Sequence, residues 1–238
     1  MSTVKNDVVI LSGGLGTRLS SVVQDTQKTM ATVKGKPFLE HLIDHYVNFG
    51  FSRFIICSGY RHGDIEKYFG DGTRWGVAIK YSFEPERSGT AGAIKLAEKL
   101  INSDDYFVLN GDTYLGIDPI KVLDFHKRNN ADGTICLRKF EDISEKGEVI
   151  IDNKNKIIRF LEKQPVHRTG LINAGVYIFN KKILSLIPQN KEVSIEQDVF
   201  PKAIRDFNFV GYKTSAFFID IGTSEEYFRS QKELPAKE

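Results

Sequence analysis

This chain is short of cysteine, of any charge bias and of long apolar runs, and each shortage closes off a class of protein. Its only cysteines, Cys57 and Cys136, both sit in strand-like apolar runs, so neither a disulfide framework nor a cysteine metal centre is expected. The formal charge is only +2, from 33 basic and 31 acidic residues spread along the chain instead of gathered in blocks. That leaves no electrostatic footprint for a nucleic-acid partner. The segment Met1 to Asp7 is polar, and the apolar run after it is too short for a signal-peptide core or a membrane span. Cytoplasmic residence without a membrane partner is the expectation; homo-oligomerisation is left open. No repeat, linker or low-complexity tract divides the 238 residues.

Several catalytic signatures are missing as well. No Lys followed by Ser or Thr stands where a P-loop needs it, and Leu19 occupies the place of the last glycine in a dinucleotide fingerprint read from Gly14. His41 and His45 lie one helical turn apart without the Glu of a zinc-protease pair or an evident third ligand, which predicts a partly exposed helix face. No serine sits in a nucleophile elbow, and no Cys and His arrangement suggests a covalent nucleophile. Acyl transfer is not indicated.

What is present alternates. Val8 to Leu11 reads as a strand; Phe38, Leu39, Leu42, Ile43, Tyr46 and Val47 recur at helical spacing between Pro37 and Gly50. Phe54 to Cys57 reads as a strand, Ile65 to Gly70 as a short helix, Val77 to Phe83 as a strand, Ala91 to Leu100 as a helix, and Tyr106 to Leu109 as a buried strand. Asp118-Pro119 reads as a cap and first turn of a helix ending near Arg128. This is the pattern of βαβ units around a mostly parallel sheet. Beyond it, Gly133 to Arg138, Glu148 to Ile151 and Ile157 to Phe160 follow too closely for helices between them, which predicts an antiparallel excursion. Ala174 to Phe179 is a further strand. Ser194 to Gln197 and Thr223 to Glu226 are capping-box patterns before two last helices. The expected layout is one α/β domain over residues 1–234 with a β-rich subdomain, and a tail that frays after Leu234.

The stretch Leu11 to Leu19 is where chemistry first shows. Gly13, Gly14 and Gly16 remove Cβ atoms where backbone must approach a ligand, and let successive N–H groups turn inward on phosphates. Arg18 adds a permanently charged planar fork, and Lys28 a second cation. Asp112 follows a buried strand in Asn110-Gly111-Asp112-Thr113, and Asp220 follows Phe217-Phe218-Ile219. Each reads either as a cap of the next turn or, at a carboxyl strand end, as a ligand of Mg²⁺, which one or two carboxylates hold together with phosphates and water. Gly89-Thr90-Ala91-Gly92 reads either as a simple helix start or as one whose first N–H groups are available to a base or phosphate. Glu162 and Lys163 stand side by side at a strand end.

In kind and order these motifs, with Asn173-Ala174-Gly175 and Asp220-Ile221-Gly222-Thr223, resemble the sugar-1-phosphate nucleotidyltransferases over roughly Asp7 to Arg229. Within them the chain is most similar to the D-glycero-D-manno-heptose 1-phosphate guanylyltransferases, through Arg18 to Val23, Tyr68 to Asp71, Leu171 to Gly175 and Phe218 to Gly222. The resemblance implies a Rossmann-like, mixed and mostly parallel sheet flanked by helices, with a small β-rich sugar-binding subdomain. It implies a nucleotide-binding part over about 1–115 and a sugar-phosphate part over about 116–234. The implied reaction joins a nucleoside triphosphate, GTP by the finer likeness, to a sugar 1-phosphate for surface polysaccharide synthesis; a uridylyl-, cytidylyl- or thymidylyltransferase acting on a hexose 1-phosphate is the alternative. Leu11, Gly13, Gly14, Gly16, Thr17, Arg18, Ser58, Gly59, Gly89, Thr90 and Gly111 would bind the nucleotide. Arg18, Lys28 and Lys163 would carry catalysis, Gly147, Glu162, Lys163 and Asn173 would bind the sugar phosphate, and Asp112 and Asp220 would hold Mg²⁺. A glycosyltransferase is disfavoured because Gly111-Asp112-Thr113 lacks its usual Asp-x-Asp, and a silent regulatory subunit because the cations and carboxylates are all retained. Two departures stand out. Gln27 and Thr29 flank Lys28 where the family usually has prolines, and Arg87-Ser88 precede Gly89 where Pro-Leu is common. Without prolines the backbone around Lys28 is expected to be freer.

Overall fold

A computed structural model of the chain describes residues 3–14, 19, 23, 26–144, 147–161, 165 and 167–235. Strand β1 (Val8–Ser12) is followed by two short strands that pair with each other, β2 (Thr32–Val33) and β3 (Lys36–Pro37), and by helix α1 (Phe38–Asn48). Next come β4 (Arg53–Ser58), α2 (His62–Phe69), β5 (Ala78–Phe83), α3 (Gly89–Leu96) and β6 (Asp105–Asn110). β7 (Thr113–Leu115) leads to α4 (Pro119–Arg128), where the Asp118 carboxylate accepts from the N–H of Ile120 at 2.9 Å and Pro119 opens the first turn. The second half contributes β8 (Gly133–Phe140), β9 (Glu148–Ile151), β10 (Ile157–Leu161), β11 (Gly170–Asn180), α5 (Phe200–Asp206), β12 (Phe209–Thr214), β13 (Phe218–Asp220) and α6 (Ser224–Glu233).

Among the described residues one seven-stranded sheet runs β12-β8-β11-β6-β1-β4-β5. β1, β4, β5 and β6 are mutually parallel along it, β11 is antiparallel to both neighbours, and β12 is parallel to β8. The chain steps outward from β1 through β4 to β5 and then returns to the other side of β1 at β6. That reversal opens a crevice at the carboxyl ends of the strands. β1 is covered on both faces, as its unbroken apolar run requires: Val8 and Ile10 pack in one cluster with α1 residues, and Val9 packs in the other with α3 residues. No helix among the described residues is long and apolar enough to cross a membrane.

The structure departs from the sequence reading in instructive places. The helix expected over Ala91 to Leu100 begins at Gly89 and ends at Leu96, with a separate 3-10 turn over Glu98–Leu100. The capping box at Ser194 leads into a π-helical turn, Ile195–Val199, and its reciprocal arm is Asp198, which accepts from the Ser194 N–H at 2.7 Å, instead of Gln197. β12 has no clear strand signal in the sequence because Gly211 interrupts its apolar run; a Cβ there would meet the Leu137 side chain. Of the partly exposed face expected of His41 and His45, only His45 stays partly exposed. His41 is buried against the Val33 carbonyl at 2.9 Å, His45 reaches the Ile117 carbonyl at 2.7 Å, and burial lowers both imidazole pKa values. Both cysteines are free and buried as expected, and burial pushes the Cys57 thiol up to about 12. The last residues of the tail, 236–238, lie outside the described residues.

Asp7 fastens the amino-terminal ends of the central strands, opposite the crevice. Its carboxylate is fully buried and accepts from the N–H groups of Asn102 at 2.6 Å and Ser103 at 2.8 Å and from Arg53 Nε at 2.6 Å. Burial raises its pKa, but the donors from Ser103, Arg53 and Asn102 outweigh that and hold it below the ordinary 3.8. Stability from a depressed carboxyl is complete above the unfolded value and is lost as pH falls through the folded one. Asp7→Asn should therefore lower unfolding free energy by about 2 kcal/mol at neutral pH. In urea melts that gap should narrow as the pH is taken from neutral to below 3.8, and a gap unchanged over that range would contradict the assignment.

Candidate active site

The crevice is assembled from the loops that leave β1, β4, β5 and β6. Leu11 pairs with Asn110 across β1 and β6, and the Gly111 N–H donates to the Leu11 carbonyl at 2.9 Å. A Cβ on Gly111 would stand 2.5 Å from that carbonyl, so only glycine lets the turn after β6 lie against the start of the glycine loop. Asp112 is thereby delivered beside the loop. β13 pairs antiparallel with β7, with Asp220 opposite Thr113, and the Ile221 N–H donates to the Asp112 carbonyl at 3.0 Å. The second carboxylate thus arrives on a separate two-stranded ribbon, not on the main sheet.

Lys28 lies between them. Its ammonium is 2.5 Å from Asp112 Oδ2 and 3.9 Å from Asp220 Oδ1, and its side chain is only 11% exposed. Two carboxylates from distant parts of the chain therefore already share one cation, and the same pair suits a divalent ion that finishes its shell with phosphate oxygens and water. Among the described residues no group of three His, Cys, Asp or Glu side chains is placed to hold a metal.

The other expected residues separate into those that face the crevice and those already engaged. Gly13 and Gly59 face each other near its mouth, and Gly14 has open space where a Cβ would be. Ser58 is fully buried, its hydroxyl 2.9 Å from His62 Nδ1 and its carbonyl accepting from the Glu84 N–H at 2.8 Å, so it acts as scaffold. Gly89 is needed for a reason other than a ligand: φ is +74° and a Cβ would meet the Val193 carbonyl at 2.5 Å. That carbonyl also accepts from the Ala91 N–H at 2.9 Å, and Thr90 Oγ1 accepts from the Ile195 N–H at 2.8 Å. The helix start expected to offer free N–H groups is therefore partly capped by the chain itself.

On the β11 side, the pairing with β8 shifts register between Asn173 and Tyr177, and Gly175 takes φ +69° against Asn110. Asn173 Oδ1 accepts from the Gly175 N–H at 3.0 Å, while its amide nitrogen donates to the Tyr177 hydroxyl at 2.8 Å and to Glu196 at 2.6 Å. Gly147 is exposed beside the Leu161 carbonyl, at the end of the β9–β10 hairpin. Gly16, Thr17, Arg18, Glu162 and Lys163 lie outside the described residues.

Glu84 was not singled out in the sequence. Its Oε1 is 3.0 Å from where Gly13 would carry a Cβ and 3.4 Å from the equivalent point on Gly59, and its other oxygen accepts from the Ser88 hydroxyl. An acid directly after a parallel strand, at the rim of a phosphate loop, was the available signal.

A family model described as nucleotidyl transferase matches residues 7–237. The chain is 39% identical to the D-glycero-alpha-D-manno-heptose 1-phosphate guanylyltransferase of Aneurinibacillus thermoaerophilus, over 96% of this chain and 98% of that one. It is 36% identical to the mannose-1-phosphate guanylyltransferase of Mycobacterium tuberculosis over 98% of its own length, but spans 66% of that relative. The crystal structure of HddC from Yersinia pseudotuberculosis complexed with GMP-PN superposes with a TM-score of 0.85 at 36% identity, covering 97% of this chain and 100% of that one.

Since Lys28 shares the carboxylates that a divalent ion would use, Lys28→Met should bind Mn²⁺ more tightly than the unaltered protein in the absence of nucleotide. Titration calorimetry should show a gain of about tenfold. Equal or weaker affinity would mean that ammonium and metal do not compete for Asp112 and Asp220.

Proposed function

Because this chain belongs to the nucleotidyl transferase family, we propose that it joins GTP to D-glycero-α-D-manno-heptose 1-phosphate, giving GDP-heptose and pyrophosphate for surface polysaccharide synthesis. The observation that carries this reading is the Lys28 ammonium set between Asp112 and Asp220 beside the glycine loop. The heptose guanylyltransferase relative and the HddC complex support the choice of base and sugar. Mannose 1-phosphate is the second reading, favoured by the mycobacterial relative.

The reaction is attack by a phosphate oxygen of the sugar 1-phosphate on the α-phosphorus of the triphosphate. The bond from that phosphorus to the bridging oxygen breaks, and pyrophosphate leaves with its electron pair. A phosphate monoester has its second pKa near about 6, so the nucleophile is already mostly dianionic at neutral pH. No general base is required. The protein's task is to bring two polyanions into line and offset their repulsion.

In this reading the nucleotide half is about 1–115 and the sugar half about 116–234. Leu11, Gly13, Gly14, Gly16, Thr17 and Arg18 cradle the triphosphate and the departing pyrophosphate, and Lys28 holds phosphate oxygens at the reacting centre. Asp112 and Asp220 hold Mg²⁺, which when bound neutralises charge on the α-phosphate and polarises its oxygens. Lys163 neutralises the incoming sugar phosphate, while Glu162, Asn173 and the backbone at Gly147 meet sugar hydroxyls. The rim that accommodates the nucleoside carries Gly59 and Thr90, with Ser58, Gly89 and Gly111 as the backbone scaffold behind it.

Glu84 gives this rim a preference. An ionised carboxylate only accepts hydrogen bonds, and guanine presents two adjacent donors, N1–H and the 2-amino group, whereas uracil and thymine present one N–H between two carbonyls. A bidentate pairing of this kind is worth roughly 1 to 3 kcal/mol of discrimination, or about ten- to a hundredfold. Glu84→Gln should lower kcat/KM for GTP by about that factor and narrow the preference for GTP over ITP, which lacks the 2-amino group. An unchanged GTP to ITP ratio would remove Glu84 from base recognition.

A grid of GTP, UTP, CTP and dTTP against heptose, mannose and glucose 1-phosphates, read by pyrophosphate release, tests the whole reading. The expected best pair is GTP with the heptose; turnover confined to another base would overturn it. In the same assay Asp112→Asn should reduce kcat by about a thousandfold while melting at the same temperature, and near-normal turnover would sink the metal assignment.

A further inference from the structure

Three buried polar side chains meet at the end of β1: Ser12 and Gln27 are each 1% exposed and Thr29 is 4% exposed. Two of them flank Lys28, and the third begins the glycine loop. Their hydrogen bonds close on themselves. The Gln27 amide nitrogen donates to the Ser12 carbonyl and, at 3.1 Å, to the Ser12 hydroxyl. The Thr29 hydroxyl donates to Gln27 Oε1, which also accepts from the Thr29 N–H at 3.2 Å. Gln27 Oε1 has Ser12 Oγ at 3.4 Å and Thr29 Oγ1 closer; with the Thr29 proton on the shorter contact, the 2.6 Å contact between Ser12 Oγ and Thr29 Oγ1 takes Ser12 as donor. Gln27 to Ser12 to Thr29 and back to Gln27 is then a ring in which each side chain gives one proton and takes one.

The ring fixes the amide orientation, because turning Gln27 over would set its oxygen against the Ser12 carbonyl. It also reaches the next element. Thr29 Cγ2 lies 3.0 Å from where Gly111 would carry a Cβ, so the methyl group bears on the turn that presents Asp112. Lys28 itself heads a 3-10 turn, Lys28–Met30, capped by the Gln27 side chain. One buried hub thus ties the start of the glycine loop, the backbone of Lys28 and the turn before Asp112.

We propose that Ser12, Gln27 and Thr29 are positioning residues that hold the Lys28 ammonium on the reacting phosphates, so that hydrogen bonding takes over in this chain the restraint that flanking prolines would otherwise provide. The inference rests on the nucleotidyl-transfer reading, and goes beyond it in assigning these three residues. The one alternative within the ring is a long contact, Ser12 Oγ to Gln27 Oε1 at 3.4 Å: removing the Thr29 hydroxyl replaces short hydrogen bonds by that weaker one, and the backbone on either side of Lys28 gains alternatives.

The test compares Thr29→Val, which keeps the shape and removes the hydroxyl, with Thr29→Ser, which keeps the hydroxyl. Thr29→Val should lower kcat by about tenfold with KM for the sugar phosphate within about twofold, and Thr29→Ser should stay within about threefold of the unaltered enzyme. In a Lys28→Ala background Thr29→Val should change residual turnover by less than about twofold, since its effect passes through the lysine. Without metal, calorimetric affinity for pyrophosphate should fall by about fivefold in Thr29→Val and hold in Thr29→Ser. Wild-type kcat in Thr29→Val, or an undiminished loss on top of Lys28→Ala, overturns the proposal. If Thr29→Val does not fold, Ser12→Ala opens the same ring under the same thresholds. Absence of pyrophosphate release from the unaltered protein would count against the functional reading alone, and the pyrophosphate affinities would still decide the ring.

Discussion

The site depends on one charge held between two others. Asp112 and Asp220 come from a turn after the main sheet and from a separate ribbon, and like charges brought together from distant elements repel. The Lys28 ammonium makes that approach tolerable before any substrate binds. The low exposure of the lysine strengthens the attraction, because little water screens it. In the proposed reaction phosphates and a divalent ion would compete for these same groups, so substrate binding would have to rearrange them. A polyanion can draw the ammonium away only if it brings a cation to the carboxylates in exchange.

Around that triad the fold acts through close backbone approach. Gly111 lies against the Leu11 carbonyl, Gly175 against Asn110 and Gly89 against Val193, and in each case a Cβ would collide with a neighbour. These contacts draw the β1, β6, β11 and α3 termini to one edge of the sheet. The glycines among the described residues therefore do two jobs, and Gly13, Gly14 and Gly59 are among those that face the crevice. Gly89 looked like a ligand loop in the sequence, yet its backbone is committed to the segment around Val193.

How much of this was legible follows from range. The β1 run, the Asp118-Pro119 cap and the parallel strands of the first half were readable because each signal is local: an apolar run, a cap, a proline at its preferred place. The glycine loop, Lys28, Asp112 and Asp220 were readable as types, and the chain does bring Lys28 and the two carboxylates together. What could not be read was partnership. His41 and His45 look like a helix surface in the sequence because nothing nearby announces the carbonyls of Val33 and Ile117 that their rings meet. β12 was hidden because its pairing with β8 joins segments far apart in sequence, and Gly211 breaks its pattern. Glu84 acquires meaning only when β1, β4 and β5 set Gly13 and Gly59 beside it.

Gln27 and Thr29 illustrate the same limit from the other side. Read alone, the loss of prolines predicts a looser segment, because proline restricts the backbone even in the unfolded chain. The structure answers with a restraint of a different physical kind, one that exists only when Ser12 is in place at the end of β1. Proline would hold Lys28 regardless of its surroundings, whereas the ring holds it only while β1, the Lys28 turn and the Gly111 turn are packed together. Order at Lys28 is thereby made conditional on order at the end of β1. The two gripping elements of the site are then coupled through three buried side chains, so that loosening one end of the crevice loosens the other.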